Sequence, residues 1–293
     1  MPAIDTNRDS FVSGNLPSEL SGEIMQKIQE DSAVMQLARE TTLSGRGETI
    51  PVILGDPEAA WVSETGKKPV SNPTITTKLM TPYCLSVIVP FSNQFRRDAA
   101  KLYDELVRRL PSALGAKIDK TVLGGVVKPG DNFDNFAGVT AYSMDSDVYG
   151  ALVSADTDVS LHGGIVDGWL ISPQMRGVLL GATDTTKRPL FVNNTSEGAI
   201  PAILGSKALI RKNAFVQGSP NVIGVCGDWS QALWGMVEGI DVSYSDQATI
   251  TIDGEQVNLW ERNMFAVRAE VEFGFRADTS VFAAISKTSV PSA

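Results

Sequence analysis

One histidine and two cysteines limit what this chain of 293 residues could catalyse. His162 stands beside Gly163-Gly164 in a loop. A Ser-His-Asp or Cys-His relay needs an imidazole to take the nucleophile's proton. His162 would have to serve, yet neither Cys84 nor Cys226 has the surroundings of a nucleophile. Both cysteines lie inside apolar runs, where a thiol packs as a small hydrophobe, so both are expected to be buried and free. A disulfide would need the fold to bring them together. There is no HExxH, no EF-hand loop and no Cys/His cluster of metal-site spacing. No GxxxxGK[ST] occurs and no GxGxxG follows a strand, so nucleotide binding has no motif behind it. Asn193-Asn194-Thr195 and Asn194-Thr195-Ser196 fit the glycosylation acceptor pattern, but MPAIDTNRDS is no secretory signal and the matches are read as chance. No cofactor, no metal and no catalysis on a separate substrate are expected.

Composition narrows the class. With 43% hydrophobic and 20% charged residues the chain can bury a sizeable core, and it is neither disordered nor fibrous. Its longest apolar runs, Leu85 to Val89 and Ile223 to Cys226, are too short to span a bilayer. A net charge of −9 excludes a nucleic-acid reader, which needs a basic stripe. The same charge suits a wall that encloses DNA and repels it.

The elements that must position any site follow from periodicity. Residues 1–15 are polar and read as an extended arm. Ile24, Met25, Ile28, Val34, Met35 and Leu37 predict one or two short helices between 17 and 40. Thr49 to Leu54 reads as a strand. Residues 59–90 read as a long two-stranded excursion with a polar tip at Gly66 to Pro73, returning through Tyr83 to Val89. Too few apolar residues lie near that tip for the ribbon to bury itself, so it needs a neighbouring subunit. Leu102, Leu106, Leu110, Leu114 and Ile118 predict a long helix that Pro111 bends or splits and Gly124-Gly125 ends. A helix near 145–154 follows, then a strand from Gly168 into a helix at 174–182. Further strands are expected at Leu190–Val192, Ala199–Leu204, Val222–Cys226 and Ile240–Ser243. From Met264 to Arg276 the order MFAVRAEVEFGFR alternates without a break. Phe265, Val267, Ala269, Val271, Phe273 and Phe275 fall on one face, and Arg268, Glu270, Glu272 and Arg276 on the other.

This order of parts, with the phrases Leu16-Pro-Ser-Glu-Leu, Asp31-Ser-Ala-Val-Met-Gln-Leu-Ala38, Ala60-Trp-Val-Ser-Glu64, Ile223-Gly-Val-Cys-Gly-Asp228, Asn263-Met-Phe-Ala-Val-Arg-Ala-Glu270 and Phe282-Ala-Ala-Ile285, resembles the major capsid proteins of tailed bacteriophages over nearly the whole chain. The resemblance implies an α+β fold of the Hong-Kong-97 type. Residues 1–48 would be the N-terminal arm and 49–90 the extended β-hairpin loop with its base strands. Residues 91–140 would be the peripheral domain with its spine helix, 141–255 mainly the axial domain, and 256–293 the peripheral domain's C-terminal strands. It further implies self-assembly as hexamers and pentamers into an icosahedral virion shell around double-stranded DNA, built in a bacterial cytoplasm. The partners it implies are sister copies, a portal, a scaffolding protein and room for a decoration protein. The arm begins almost at Met1, so the scaffolding protein is expected to be a separate chain. A nanocompartment shell of the same fold and an unrecognised oligomeric cytosolic enzyme are the alternatives.

Some relatives join subunits by an isopeptide bond between a hairpin Lys and an Asn, helped by a Glu. The resemblance carries these roles to Lys67 or Lys68 at the hairpin tip, to Asn263, and to Glu270 seven residues further on. A neutral amine would attack the carboxamide carbon, ammonia would leave, and the carboxylate would take a proton. If 263–270 is extended, Asn and Glu stand about 20 Å or more apart, so several subunits would have to contribute. The alternative is structural: Asn263 capping a turn, Glu270 pairing with Arg268 or Arg276, and the two lysines solvated.

Overall fold

The computed structural model describes residues 26, 28–29, 32–54, 61–62, 68, 74–93, 99–183, 187–188, 190–191, 202–252 and 254–289. A short helix α1 (Ala33–Leu37) leads into β1 (Arg39–Thr42), followed by β2 (Glu48–Leu54), β3 (Thr74–Met80) and β4 (Tyr83–Ser92). The long helix α2 (Ala99–Val122), β5 (Thr140–Ser143), α3 (Val148–Leu161), β6 (Gly168–Ile171) and α4 (Pro173–Gly181) come next. Then come β7 (Ala202–Ile203), β8 (Ser206–Ile210), β9 (Asn221–Gly227), β10 (Ala232–Met236) and β11 (Asp241–Ser245). The hairpin of β12 (Thr249–Ile252) and β13 (Glu255–Asn258), then β14 (Met264–Ala277) and β15 (Phe282–Lys287), complete the described chain.

The alternating strand is the axis of the larger construction. Phe265, Val267, Ala269, Val271, Phe273 and Phe275 of β14 are all buried, as the period demands. On one side β14 pairs antiparallel with β4 from Met264↔Ser92 to Phe273↔Tyr83. On its other side it pairs first with β11 and then with β10. The strand from the arm, β1, adds parallel to β10. A second sheet runs in the order β5-β15-β9-β6-β8-β7. One hydrophobic core joins the two sheets, with Phe136, Trp229, Phe275 and Phe282 in mutual edge and stacked contacts at its centre.

Several expectations change. The hairpin is β2 with β3, registered from Glu48↔Met80 to Leu54↔Thr74. Tyr83 to Val89, expected as the ribbon's returning arm, lies instead in β4 and belongs to the β14 sheet. Thr81-Pro82 breaks the strand, since Pro82 has no N–H for a ladder, and Leu85, Val87, Val89 and Phe91 pack on the core. β10 and β11 share a sheet with β14, while β15 crosses to pair with β9 and β5. Leu190 and Phe191 are not in a strand, and Val192 lies outside the described residues. Of the strand expected at Ala199–Leu204, Ala202–Ile203 forms β7 and Leu204 lies in the turn after it, while 199–201 lie outside the described residues. Helix α3 starts later than expected, because the Asp147 side chain caps it by accepting from the Gly150 N–H at 2.9 Å, and it runs on to Leu161.

Pro111 does not split α2, which runs unbroken for 24 residues. A proline inside a helix costs about 3 kcal/mol. Burial of Leu110, Leu114, Ile118 and Val122 along one stripe offsets that cost. The helix ends as expected. Gly124 takes φ +82°, the Gly125 N–H returns to the Lys120 carbonyl at 2.8 Å, and the Gly124 N–H to that of Thr121 at 3.2 Å. A Cβ on Gly124 would stand 2.6 Å from Cα of Ala137. Gly124→Ala therefore meets both a left-handed backbone and a main-chain clash. We expect it to lower stability by about 2 kcal/mol or more, read as a shifted urea midpoint with an unchanged slope.

Candidate functional site

The root of the β2–β3 hairpin is held by an arginine, with a lysine beside it. Arg276 lies on the charged face of β14 near its C-terminal end, yet its side chain is only 11% exposed. Its guanidinium donates to the Leu79 carbonyl (2.8 Å), Asp134 Oδ1 (2.9 Å), Asn132 Oδ1 (3.0 Å) and the Asp131 carbonyl (3.4 Å). Lys78 Nζ donates to the Ala277 carbonyl at 3.2 Å, and Asn132 Nδ2 to Thr81 Oγ1 at 3.0 Å. Beside this cluster Gly235 and Gly274 face each other across β10 and β14, and buried Leu43 and Met80 sit over them. A Cβ on Gly274 would come within 2.9 Å of both side chains, so the absent side chains form the seat for the hairpin's base.

The root of the arm is held by one anion. Asp119, fully buried on α2, accepts from Ser32 Oγ (2.7 Å), the Ala33 N–H (3.1 Å), the Val34 N–H (3.2 Å) and Asn213 Nδ2 (3.3 Å). Burial pushes its pKa up, and the hydrogen bonds from Ala33, Ser32, Val34 and Asn213 pull against that.

The residues assigned to a covalent step are dispersed. Lys67 lies outside the described residues, and Lys68 is exposed. Asn263 is exposed in the turn before β14 with φ +53°. Its carbonyl accepts from the Asn93 N–H (2.9 Å), and its side-chain oxygen from Asn93 Nδ2 (2.8 Å). Glu270 is half-buried on the outer face of β14 with Oε1 3.4 Å from Arg268 Nε. It lines a groove of about 290 Å³ with Cys84, Glu238, Asp241 and Glu272. Seven extended residues place Asn263 and Glu270 about 23 Å apart, so this chain alone does not bring them together.

The residues considered for nucleophilic catalysis do not assemble either. Cys84, expected to be buried, is exposed, because its position on β4 has the opposite parity to Leu85 and Val87. What burial it has, and then the charges of Glu270 and Glu272, raise its pKa and keep the thiol protonated. Cys226 is buried and free; its thiol donates to the Ala283 carbonyl at 3.6 Å, and burial pushes its pKa far up. His162 caps the C-terminus of α3, with Nδ1 2.8 Å from the Asp158 carbonyl oxygen. The sequence signals missed Asp119 and Arg276, whose partners are dispersed along the chain. Asp119 could have been flagged only as a carboxylate beside the apolar stripe of a long helix.

Asp119→Asn would aim an amide N–H₂ at a cluster of donors. We expect it to cost about 1–3 kcal/mol in urea unfolding at pH 7. The folded-state pKa is raised, so the wild type gains stability from this site as pH falls through that value and loses it as pH rises. The variant cannot, and its deficit should widen as pH falls toward the ordinary carboxylate range.

The phage capsid family model matches residues 14–285. The probable major capsid protein of Mycobacterium phage D29 is 28% identical over 297 residues, covering 95% of this chain and 92% of that protein. That of Mycobacterium phage L5 is 26% identical, covering 94% and 90%. A solved structure from Mycobacterium phage Adephagia superposes with a TM-score of 0.72 at 23% identity, over 89% of this chain and 91% of that one.

Proposed function

The chain belongs to the phage capsid family, and we infer that it is a major capsid protein of a tailed phage, the repeated subunit of the icosahedral head shell. The family match across residues 14–285 carries this conclusion. Its place is the virion. Copies assemble with one another as hexamers and pentamers around double-stranded DNA. The net charge of −9 keeps the wall from gripping that cargo. Of the three alternatives the sequence left open, the tailed-phage subunit is the one that the family and the curated relatives support. A scaffolding protein, a portal and a decoration protein are the partners this reading proposes. The expressed chain, examined by electron microscopy, should form closed shells, sheets or capsomer rings. Small discrete oligomers alone would count against it.

The finer part of the proposal is covalent. Nζ of Lys67 or Lys68 attacks the side-chain carbon of Asn263 on a neighbour. The new N–C bond forms, the bond to Nδ2 breaks, and ammonia leaves with the proton that Glu270 of a third copy has taken from the amine. The exposure of Lys68 and Asn263 and their separation from Glu270 suit a reaction that only assembly completes. In one subunit Glu270 lies among carboxylates, which stabilise an arriving ammonium and suppress the neutral nucleophile. A neighbour must therefore dry the groove first. Shells boiled in SDS should give a ladder or fail to enter the gel, and Glu270→Gln shells of normal appearance should give none. A single band at 31.4 kDa from the wild type would rule the bond out.

A further inference from the structure

The layer built from α2 and the β14 sheet has two outer sides of opposite charge. One core holds the layer together, in which Leu110, Leu114, Ile118 and Val122 of α2 share an interior with Phe265, Val267 and Val271 of β14. Arg268, Glu270 and Glu272 have the other parity and face away from α2. On that side Glu238, Asp241, Glu270 and Glu272 line the groove, and the guanidinium beside them is that of Arg268.

The far side of α2 is the reverse. Over Arg109–Val122 its exposed residues are Arg109, Ser112, Ala113, Lys117 and Lys120. Arg109, Ala113, Lys117 and Lys120 follow at helical spacing and form one stripe about 16 Å long. Asp119 is turned inward and buried. Asp104 and Glu105 stand about one turn before Arg109, so the positive excess belongs to the C-terminal half of the helix. The elements α1 and β4, which pack on α2, contain no charged residue, and the turn Lys212–Ala214, which also packs on it, adds exposed Lys212.

Lys117, Lys120 and Lys212 enter no ion pair among the described residues. Lys120, in the last turn, also complements the helix dipole, a gain that Lys117, a turn earlier, does not share. Only alanines, Ala113 and Ala116, stand between the cations on this stripe, so nothing tall bars a rod-shaped polyanion from the helix. Duplex DNA presents one phosphate charge per about 1.7 Å of its axis, and an ammonium meets phosphate as a point charge whatever the base sequence.

We propose that the exposed face of α2, through Lys117 and Lys120 with Lys212 beside it, meets phosphates of the enclosed double-stranded DNA, and that the acidic face of β14 points away from that cargo. The inference rests on the shell reading and adds which side of the subunit the DNA touches and through which groups. The contact is shallow and independent of sequence. A few cations per copy neutralise phosphates next to the wall, and the negative excess elsewhere in the chain prevents a firm grip.

The test uses the full-length protein. Unassembled subunits are titrated into a short fluorescein-labelled DNA duplex of mixed sequence, and anisotropy is read at several salt concentrations. Lys117→Gln/Lys120→Gln should weaken binding about tenfold at low salt and lower the slope of log affinity against log salt by about two, roughly one for each lost phosphate contact. Lys187→Gln/Lys207→Gln removes the same charge from two other exposed positions and should leave the slope nearly unchanged. Absence of salt-dependent binding by the wild type, or equal losses from the two pairs, would overturn the proposal. Polyglutamate that competes better than unlabelled duplex, charge for charge, would overturn it in favour of an acidic protein partner. Lys120→Cys in a Cys84→Ser background reports orientation, since Cys226 is buried. In closed shells it should resist a maleimide-polyethylene glycol too large to enter, and react once the shells are dissociated without denaturant. Labelling of intact shells would overturn the proposal and leave the shell reading standing. Failure of the parent protein to form any shell or ring would overturn both.

Discussion

The fold depends on the side-chain period of one strand. Each residue of β14 commits its neighbours to opposite faces, and six apolar positions in strict alternation leave one register that buries them. A slip of one residue would expose three phenylalanines and bury Arg268, Glu270 and Glu272. Because β14 is paired along both edges, that register is passed to β4, β10 and β11, and through β10 to the arm strand β1. The charged face is then used unevenly. Its C-terminal end turns inward at Arg276 to hold the hairpin root, its middle lines the acidic groove, and Gly274 leaves the gap that Leu43 and Met80 fill.

How much of this was legible depended on how local each signal is. The period of β14, the long stripe of α2 and its double-glycine end, and the strand–Ser172–Pro173 entry into α4 are written within a few residues. The partner of Tyr83 to Ser92 is not. Its alternation suits a hairpin arm or a sheet strand equally, and only Phe265, Val267, Ala269 and Val271, far along the chain, decide it. Cys84 was misplaced for the same reason: an apolar run read as buried was half-buried, and parity put the thiol outside. Asp119 and Arg276 were illegible in principle, since their roles come from Ser32 and from Leu79, 87 and 197 positions away.

The two anchors differ in physical character, and the difference suits their tasks. Asp119 has no counter-ion among its hydrogen-bond partners and is held by directional donors from Ser32, α1's first turn and Asn213, so it fixes α1 against α2. Arg276 is shared among carbonyls, an amide and a carboxylate from the 131–134 loop and the hairpin. Its planar fork fixes an angle as well as a point. Both anchors therefore tie chain-distant segments to one stiff core, α1 to α2 in the first case and the end of β3 to the end of β14 in the second.

A shell built from such subunits gains from contacts that are individually weak. An exposed ion pair contributes about 0–1 kcal/mol, too little to fix a dimer. In a closed ring every subunit makes the same contact twice, and the last contact forms between ends already held close, so modest edges sum to a stable capsomer. Weak edges also tolerate small changes of angle. Rigidity in such a subunit belongs to its core, where the buried aromatic cluster of Phe136, Trp229, Phe275 and Phe282 resists deformation.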